Sequence, residues 1–454
     1  MKTDTENDLL SGAIAPALVK FALPFLFAYF LQSLYGAVDL LVVGKFADSA
    51  SQSAVSGGSQ IMQLTMALVN GIAMGGTVLI GRKIGEKDTP GVCLGVGNLS
   101  TLFVILAAIF TPIMFLSING LITIMQIPAE AVAHCHDYLF ICCMGLPFIV
   151  GYNAVAAIYR GIGDSKTPVY FIILATIVNV VLDLVLTGGL GMGTKGAAIA
   201  TITAQGASFL GSLLYMKIKG FPYKITFSDF KMDHDSVTNI LKVGVPLAMQ
   251  DVLVHFSFMA ITAITNTLGV LVSAGIGVAE KIMSFAFLIP SAFAAAVATF
   301  ASQNLGAGNR KRAIKGTLLG VAISAVVGVL VCLLCNLIPE VMVGWFSNDP
   351  GVISQGAMYI KTYSIDCILT AFVFNVNSYL NANRKSMLCF AHSMCATFLV
   401  RLPGTYLLKR ISGGSVLMIG LAAPAASILS IIICVVYLFI NRKEMLGVSG
   451  DGSL

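Results

Sequence analysis

The chain has 454 residues, of which 57% are hydrophobic and only 11% are charged, and its mean hydropathy is +0.90. Soluble proteins carry about 25% charged residues, so this composition excludes an ordinary soluble protein. Twelve spans of about 20 residues each would leave too little chain for a large domain outside the membrane. The apolar runs are long and continuous, which excludes a transmembrane β-barrel with its short alternating strands. We therefore predict an all-α polytopic membrane protein.

Apolar runs separated by polar breaks predict twelve transmembrane helices. They lie near residues 14–43, 52–80, 91–117, 131–159, 167–188, 195–217, 238–268, 273–301, 312–345, 352–381, 386–409 and 415–440. Twenty of the 27 Lys and Arg residues then fall on one side of the membrane. Because cytoplasmic loops carry the excess of basic residues, we expect both termini in the cytoplasm. The basic residues form short clusters without a continuous basic face, so nucleic acid is not an expected partner.

The sequence contains an internal repeat at an offset of about 221 residues. This offset aligns Pro24 with Pro246 and Gly85 with Gly306. It predicts two pseudo-symmetric six-helix lobes, residues 1–217 and 242–454, joined by a cytoplasmic linker at 218–241. Parallel repeats of this kind flank a central cavity in many secondary transporters, which alternate access by rocking one half against the other.

An ion gradient is the expected energy source. The chain contains no G-x-x-x-x-G-K-[ST] motif and has no room for a nucleotide-binding domain, so we expect neither an ATPase subunit nor a nucleotide cofactor. It also shows no nucleophile–base pair and no metal motif, so an enzyme is not expected.

Two carboxylic acids interrupt the apolar runs of the predicted N-terminal lobe. Asp39 lies in predicted helix 1 and Asp183 in predicted helix 5, and Tyr35 and Asn179 precede them by four residues, on the same helix face. A carboxylate inside a bilayer is costly and commonly marks a proton or cation path. Further polar residues of this lobe are Asn153 in helix 4 and Thr201 and Gln205 in helix 6. Such oxygen ligands suit a small alkali cation, and the carboxylates could instead take protons; the alternative reading is interhelical hydrogen bonding alone.

The predicted C-terminal lobe lacks both acids, because the repeat places Ile261 and Pro403 near the matching positions. It carries a different ionisable set inside its spans. The set comprises Asp251 and His255 in helix 7, Glu280 in helix 8, Asp366 in helix 10 and Arg401 in helix 11. Two interpretations stay open for it: a structural network of ion pairs, or a substrate site or second coupling site.

Two motifs together are specific: R-G-I-G-D-S-K-T-P at residues 160–168 and N-V-V-L-D at residues 179–183. With Pro24 and Gln303-Asn304-x-Gly306-Ala307, they make the chain resemble the multidrug and toxic compound extrusion (MATE) family along essentially its whole length. The resemblance implies the MATE fold of the MOP superfamily, with twelve helices in two lobes around a cleft. It also implies export of amphipathic, often cationic organic compounds in exchange for Na⁺ or H⁺, by a monomer in the bacterial cytoplasmic membrane.

The resemblance further implies where the coupling cation binds. In the DinF-like branch the motif positions of the N-lobe cation site correspond to Asp39, Asn179, Asp183 and Thr201, with Tyr35 and Asn153 nearby. Pro24 is the expected bend of helix 1. The NorM-like branch places acids in helices 7 and 10, which Asp251 and Asp366 loosely match, and the DinF-like scheme is favoured. The alternative function is a flippase for lipid-linked oligosaccharides or precursors in the same superfamily, which would need several basic residues in the cleft.

Overall fold

The computed structural model describes residues 9–443, and every regular element in that range is helical. Eleven helices there are long and apolar enough to cross a membrane. The helices Pro350–Tyr363 and Asp366–Ala382, bent by 47° at a short break, supply a twelfth span when they are counted together.

The α-helices follow the predicted spans closely. They are α1 Ile14–Phe46, α2 Ser49–Gly85, α3 Thr89–Ile124, α4 Val132–Ile162, α5 Thr167–Leu182, α6 Gly193–Lys219, α7 His234–Asn266, α8 Val270–Ala286, α9 Leu288–Gly306, α10 Arg310–Leu337, α11 Pro339–Gly344, α12 Pro350–Tyr363, α13 Asp366–Ala382, α14 Ser386–Cys395, α15 Leu402–Ile411, α16 Val416–Ile419 and α17 Ala422–Ile440. Short 3₁₀ helices occur at Ala129–Ala131 and Phe227–Phe230. π-helices continue α5 at Asp183–Gly189 and join α14 to α15 at Ala396–Arg401.

The turn at residues 160–168 shows how local sequence ends one span and begins the next. Gly163, with a φ of +96°, ends α4 in the left-handed conformation that favours glycine. The Asp164 carboxylate then accepts hydrogen bonds from the backbone N–H groups of Lys166 (2.9 Å) and Thr167 (3.0 Å). Pro168 lies in the first turn of α5, where its missing N–H costs nothing. The sharp reversal between α4 and α5 therefore follows directly from the motif.

The chain folds into two compact units, Phe27–Ala248 and a second formed by Met1–Leu26 with Met249–Leu454. The chain passes from one unit to the other inside α1 and inside α7, two residues after Pro24 and two residues after Pro246. The contacts thus divide the chain within these two helices, whereas the predicted lobes, 1–217 and 242–454, meet at a polar linker. The physical reason is that α1 up to Leu26 packs with the C-terminal part of the chain, whereas the rest of α1 packs with the Phe27–Ala248 unit. In the same way, α7 up to Ala248 packs with the Phe27–Ala248 unit and the rest of α7 with the other unit.

The predicted linker is docked on α3 within the Phe27–Ala248 unit. Asn98, fully buried, donates to the carbonyl groups of Asp229 (3.3 Å) and Lys231 (3.2 Å) and accepts from the backbone N–H of Asp233 (2.7 Å). Hydrogen bonds from Ser236, which lies in the first turn of α7, hold the pKa of Asp233 below its usual range. The segment ahead of α7 is therefore fixed to the N-terminal half of the sequence.

Glycine at position 97 makes this docking possible, and Gly97→Ala tests it. A Cβ atom there would lie 2.1 Å from the carbonyl oxygen of Asp229, which is backbone and has to move. We expect Gly97→Ala to lower the free energy of unfolding by about 1–3 kcal/mol, the usual effect of overpacking. Thermal unfolding of the purified protein measures it. Gly120→Ala, on the same helix with open space around its Cβ, is the matched control and should be neutral or slightly stabilising, because alanine favours a helix more than glycine does. Equal midpoints for the two variants would contradict the docking.

Two spans of the C-terminal unit are broken near their middles. Phe287 separates α8 from α9, and its ring packs edge-on against Tyr363, the last residue of α12, with centroids 6.2 Å apart. At the second break the amide of Asn336 donates to the carbonyl of Lys361 (3.3 Å) and to Ser364 (3.4 Å). The breaks are thus adjacent and their free backbone groups are partly satisfied by side chains, as membrane-embedded irregular backbone requires.

Candidate functional site

The polar residues that the sequence singles out in the N-terminal lobe meet around Asp39. Both carboxylate oxygens of Asp39 accept hydrogen bonds, one from the Asn179 amide (3.2 Å) and the other from the Thr201 hydroxyl (3.3 Å). These residues come from α1, α5 and α6, so three helices of the Phe27–Ala248 unit converge on one carboxylate. Asp39, Asn179, Asp183 and Thr201, which the sequence singled out from three apolar runs, therefore form one cluster.

Asp183 lies at the point where α5 changes from α-helix to π-helix. The π-helical segment Asp183–Gly189 shifts the backbone hydrogen bonds by one residue, as in the 2.9 Å bond from Leu190 N–H to the Val185 carbonyl. The Asp183 carboxyl acts electrostatically on that of Asp39, so the two acids are close neighbours. Single-turn π-helices inside α-helices are frequent at functional sites, and this one ends the regular α-helix at the acid.

The pair of carboxyl groups is buried without a basic partner. Asp39 is 5% exposed and Asp183 and Asn179 are fully buried. Within residues 9–443 neither acid forms an ion pair, and both oxygens of Asp183 and the side-chain oxygen of Asn179 have no hydrogen-bond partner. Two buried negative charges would cost several kcal/mol each, so the cluster has to hold a proton or a cation.

The orphan oxygen atoms suit a small monovalent cation. Three acceptors of the cluster have no partner within the described residues, two on Asp183 and one on Asn179, and hard cations take oxygen ligands of this kind. Buried acceptors without partners call for an ion or water. No group of three or more His, Cys, Asp or Glu residues that could hold a metal ion occurs in the described part of the chain.

The three supporting residues named from the sequence differ in how they relate to the Asp39 cluster. Tyr35 lies one turn before Asp39 with its hydroxyl buried, and that hydroxyl has no hydrogen-bond partner among the described residues. Asn153 bonds the carbonyl of Ile149 in its own helix (2.8 Å), so this bond does not tie it to the acids. Gln205 is half-buried on α6 and makes no hydrogen bond to Asp39. Tyr35 thus remains beside the cluster, whereas Asn153 and Gln205 are not linked to it.

The C-terminal ionisable set is not joined by ion pairs. Asp366 is buried and accepts a 2.5 Å hydrogen bond from Ser427 on α17. The Arg401 guanidinium packs over the ring of Phe258 at 4.1 Å. Arg401 lies near enough to Glu280 and Asp366 to act on both electrostatically, yet in the described chain it forms an ion pair with neither. The contacts do not support the ion-pair interpretation.

Asp251 and His255 lie one turn apart on α7, both half-buried, without an ion pair between them in residues 9–443. Two partners in the C-terminal set were missed from the sequence. A serine among the small residues of α17 and a phenylalanine in apolar α7 carry no distinguishing signal, so neither Ser427 nor Phe258 could have been found without coordinates.

Comparison with known proteins gives a consistent result over most of the chain. The model of the MatE family matches residues 24–185 and again residues 246–407, at the offset of the internal repeat. The probable multidrug resistance protein YpnP of Bacillus subtilis (strain 168) is 26% identical over 401 residues, covering 88% of this chain and 89% of that protein. The FAD transporter of Shewanella oneidensis is 24% identical over 436 residues, covering 94% and 95%.

A solved structure described as the outward-facing conformation of a multidrug resistance MATE family transporter of the MOP superfamily superimposes with a TM-score of 0.90. The two sequences are 21% identical, and the superposition covers 99% of each chain. The predicted all-helical fold of the MATE and MOP type is therefore confirmed.

Proposed function

The chain belongs to the MatE family of membrane transporters, and on that basis we propose that it exports amphipathic, cationic organic compounds in exchange for Na⁺ or H⁺. It is a multi-pass membrane transporter and not an enzyme. Relatives named as multidrug resistance proteins support the class of substrate. We propose that the coupling cation binds in the N-terminal half, as in the DinF-like branch, and that the transporter works as a monomer with both termini in the cytoplasm.

One observation carries the proposal: across the described range, the carboxyl groups of Asp39 and Asp183 are buried without a basic partner, and both oxygens of Asp183 and the side-chain oxygen of Asn179 have no hydrogen-bond partner. An acid pair of this kind is unstable while both groups are charged, and each Na⁺ or H⁺ that binds removes one of the two negative charges. The site therefore has an intrinsic reason to bind a monovalent cation, which a cluster of structural hydrogen bonds would lack.

Coupling follows when the cation binds one conformation more tightly than the other. A ligand shifts an equilibrium only through its different affinities for the two states. Asp39 lies on α1, which contains Pro24, and proline removes a backbone hydrogen bond and allows a helix to bend. Neutralising Asp39 and Asp183 removes their repulsion, so α1 can take the bent arrangement in which substrate leaves.

Export by the purified protein tests this function. Proteoliposomes containing the protein would be loaded with a cationic dye, and an inward gradient of Na⁺ or of H⁺ imposed in separate samples. We expect dye efflux that depends on one of the two gradients. Flipping of a lipid-linked precursor in the same vesicles, without gradient-driven dye efflux, would instead support the flippase alternative and contradict the proposal.

The C-terminal acid Asp366 provides a test between the two coupling schemes. Because the proposed cation site lies in the N-terminal half, Asp366→Asn should reduce gradient-driven efflux by less than about fivefold, the lower end of common coupling effects. Asp366 accepts the Ser427 hydrogen bond through one oxygen, and asparagine retains an oxygen there. A complete loss of cation dependence in Asp366→Asn, at a normal level of folded protein, would favour the NorM-like scheme.

A further inference from the structure

The segment before α1 is held mainly by one arginine, Arg312. Arg312 donates from Nη1 to the Gly12 carbonyl (2.7 Å), from Nη2 to the Ser11 carbonyl (2.7 Å) and from Nε to the Leu9 carbonyl (3.3 Å). Asn304 donates a second hydrogen bond to the Leu9 carbonyl (3.0 Å). We call residues 9–12 the N-terminal strap. All of these atoms belong to the unit formed by Met1–Leu26 and Met249–Leu454.

The strap is held by both side-chain packing and hydrogen bonds. Leu9 is 2% exposed, so its side chain is packed as well as its carbonyl group. The guanidinium of Arg312 uses its three nitrogens on three carbonyl groups, a geometry that a lysine ammonium cannot reproduce. Arg312 also packs over the ring of Phe300 at 5.5 Å. The start of α1 is thus fixed to α9 and α10.

The remainder of α1, from Phe27, belongs to the other unit and carries Asp39. Any movement of one unit against the other therefore has to be absorbed within α1, between the strap and Asp39, and within α7. Asn98 fixes the segment ahead of α7 in a corresponding way on α3. Each half of the sequence thus anchors the beginning of the helix that continues into the other half.

We propose that Arg312 is a positioning residue for transport. Arg312 fixes the start of α1 to the C-terminal unit. When α1 bends at Pro24, the bend therefore moves one unit against the other, and cation binding at Asp39 is coupled to that movement. Without the three hydrogen bonds the strap can slip, and the cation site can fill without driving the conformational change. This inference rests on the proposed function, because it assumes that Asp39 binds the coupling cation.

Two substitutions separate the effect of the three guanidinium hydrogen bonds, the fork, from the effect of the positive charge. Arg312→Gln removes the charge and the fork, and Arg312→Lys keeps the charge alone. Lys311→Gln is the matched control, since Lys311 is the exposed neighbour on the same helix. We expect gradient-driven efflux to fall by about fivefold or more in Arg312→Gln and by less in Arg312→Lys, while Lys311→Gln matches the unaltered protein. Cation binding by the purified variants should remain close to that of the unaltered protein.

Hydrogen exchange of the backbone amides in residues 9–20 measures the strap directly. Exchange should be faster in Arg312→Gln than in Lys311→Gln. Asn304→Ala, which removes the other donor to Leu9, provides a second variant with the same expected direction if Arg312→Gln fails to reach the membrane. Unchanged exchange, or efflux equal to that of Lys311→Gln, would overturn this inference alone. An unaltered protein without any cation-dependent efflux would contradict the proposed function and this inference with it.

Discussion

Asp39→Asn should strongly reduce cation-coupled export while leaving the fold intact. Asparagine keeps the shape of the side chain and an oxygen that can accept from Asn179 or Thr201, but it cannot carry the charge that a cation or proton neutralises. Coupling free energies between sites are typically about 1–3 kcal/mol, so we expect a loss on the order of tenfold or more in gradient-driven efflux. Drug resistance in a sensitive bacterial host gives a parallel measurement.

The matched control is Asp137→Asn, an identical change at an exposed residue whose partner Lys195 is also exposed (3.2 Å). Exposed ion pairs contribute little, about 0–1 kcal/mol, so this variant should export normally. If Asp39→Asn reached the membrane at normal levels and conferred undiminished resistance, the coupling role of Asp39 would be wrong.

Thermal stability should depend on the coupling cation in the unaltered protein and not in Asp183→Asn. A ligand that binds only the folded state stabilises it by about 2.7 kcal/mol at one hundred times its dissociation constant. The fully buried Asp183 has neither a basic residue nor a hydrogen-bond donor as partner in the described chain, so its charge is uncompensated until the cation binds. Asparagine removes that charge. Asp183→Asn should therefore have the higher unfolding midpoint when cation is absent and should show no rise when it is added.

The same experiment distinguishes the two ions. If Na⁺ is the ligand, the midpoint of the unaltered protein rises with Na⁺ concentration at constant pH. If the ligand is a proton, the folded state binds more protons than the unfolded state, so stability falls as the pH rises. A midpoint that responds equally in the unaltered protein and in Asp183→Asn would place the binding site elsewhere.

The grouping of polar residues around Asp39 could be predicted in part from the sequence, and its role as a cation site stays a prediction. Asp39 and Asp183 stood out because carboxylates are rare inside apolar runs, and spacing along the helix added Tyr35 and Asn179. The hydrogen bonds of Asp39 to Asn179 and Thr201 then join three helices, and no single-sequence pattern specifies which helices meet. Asn153, an isolated polar residue in its apolar run, bonds a carbonyl group of its own helix.

The division of the chain and the anchoring of α1 were not accessible. Composition changes at the polar linker, so the sequence placed the boundary there, whereas the contacts divide the chain after Pro24 and Pro246 inside apolar helices. Arg312 looked like one basic residue in a cluster, because its partners are backbone carbonyl groups, which every residue has. The break between α12 and α13 likewise contains no proline or glycine from which it could have been predicted.

Cation flux driven by substrate is the most direct measurement of whether the buried acid pair couples substrate efflux to cation entry. Proteoliposomes would be given an outward gradient of a cationic substrate with no imposed ion gradient, and the inward movement of Na⁺ or H⁺ recorded for the unaltered protein and for Asp183→Asn. We predict cation entry that begins with substrate efflux in the unaltered protein and is absent in Asp183→Asn. Equal cation entry in both, or substrate efflux without any cation movement in the unaltered protein, would contradict the account.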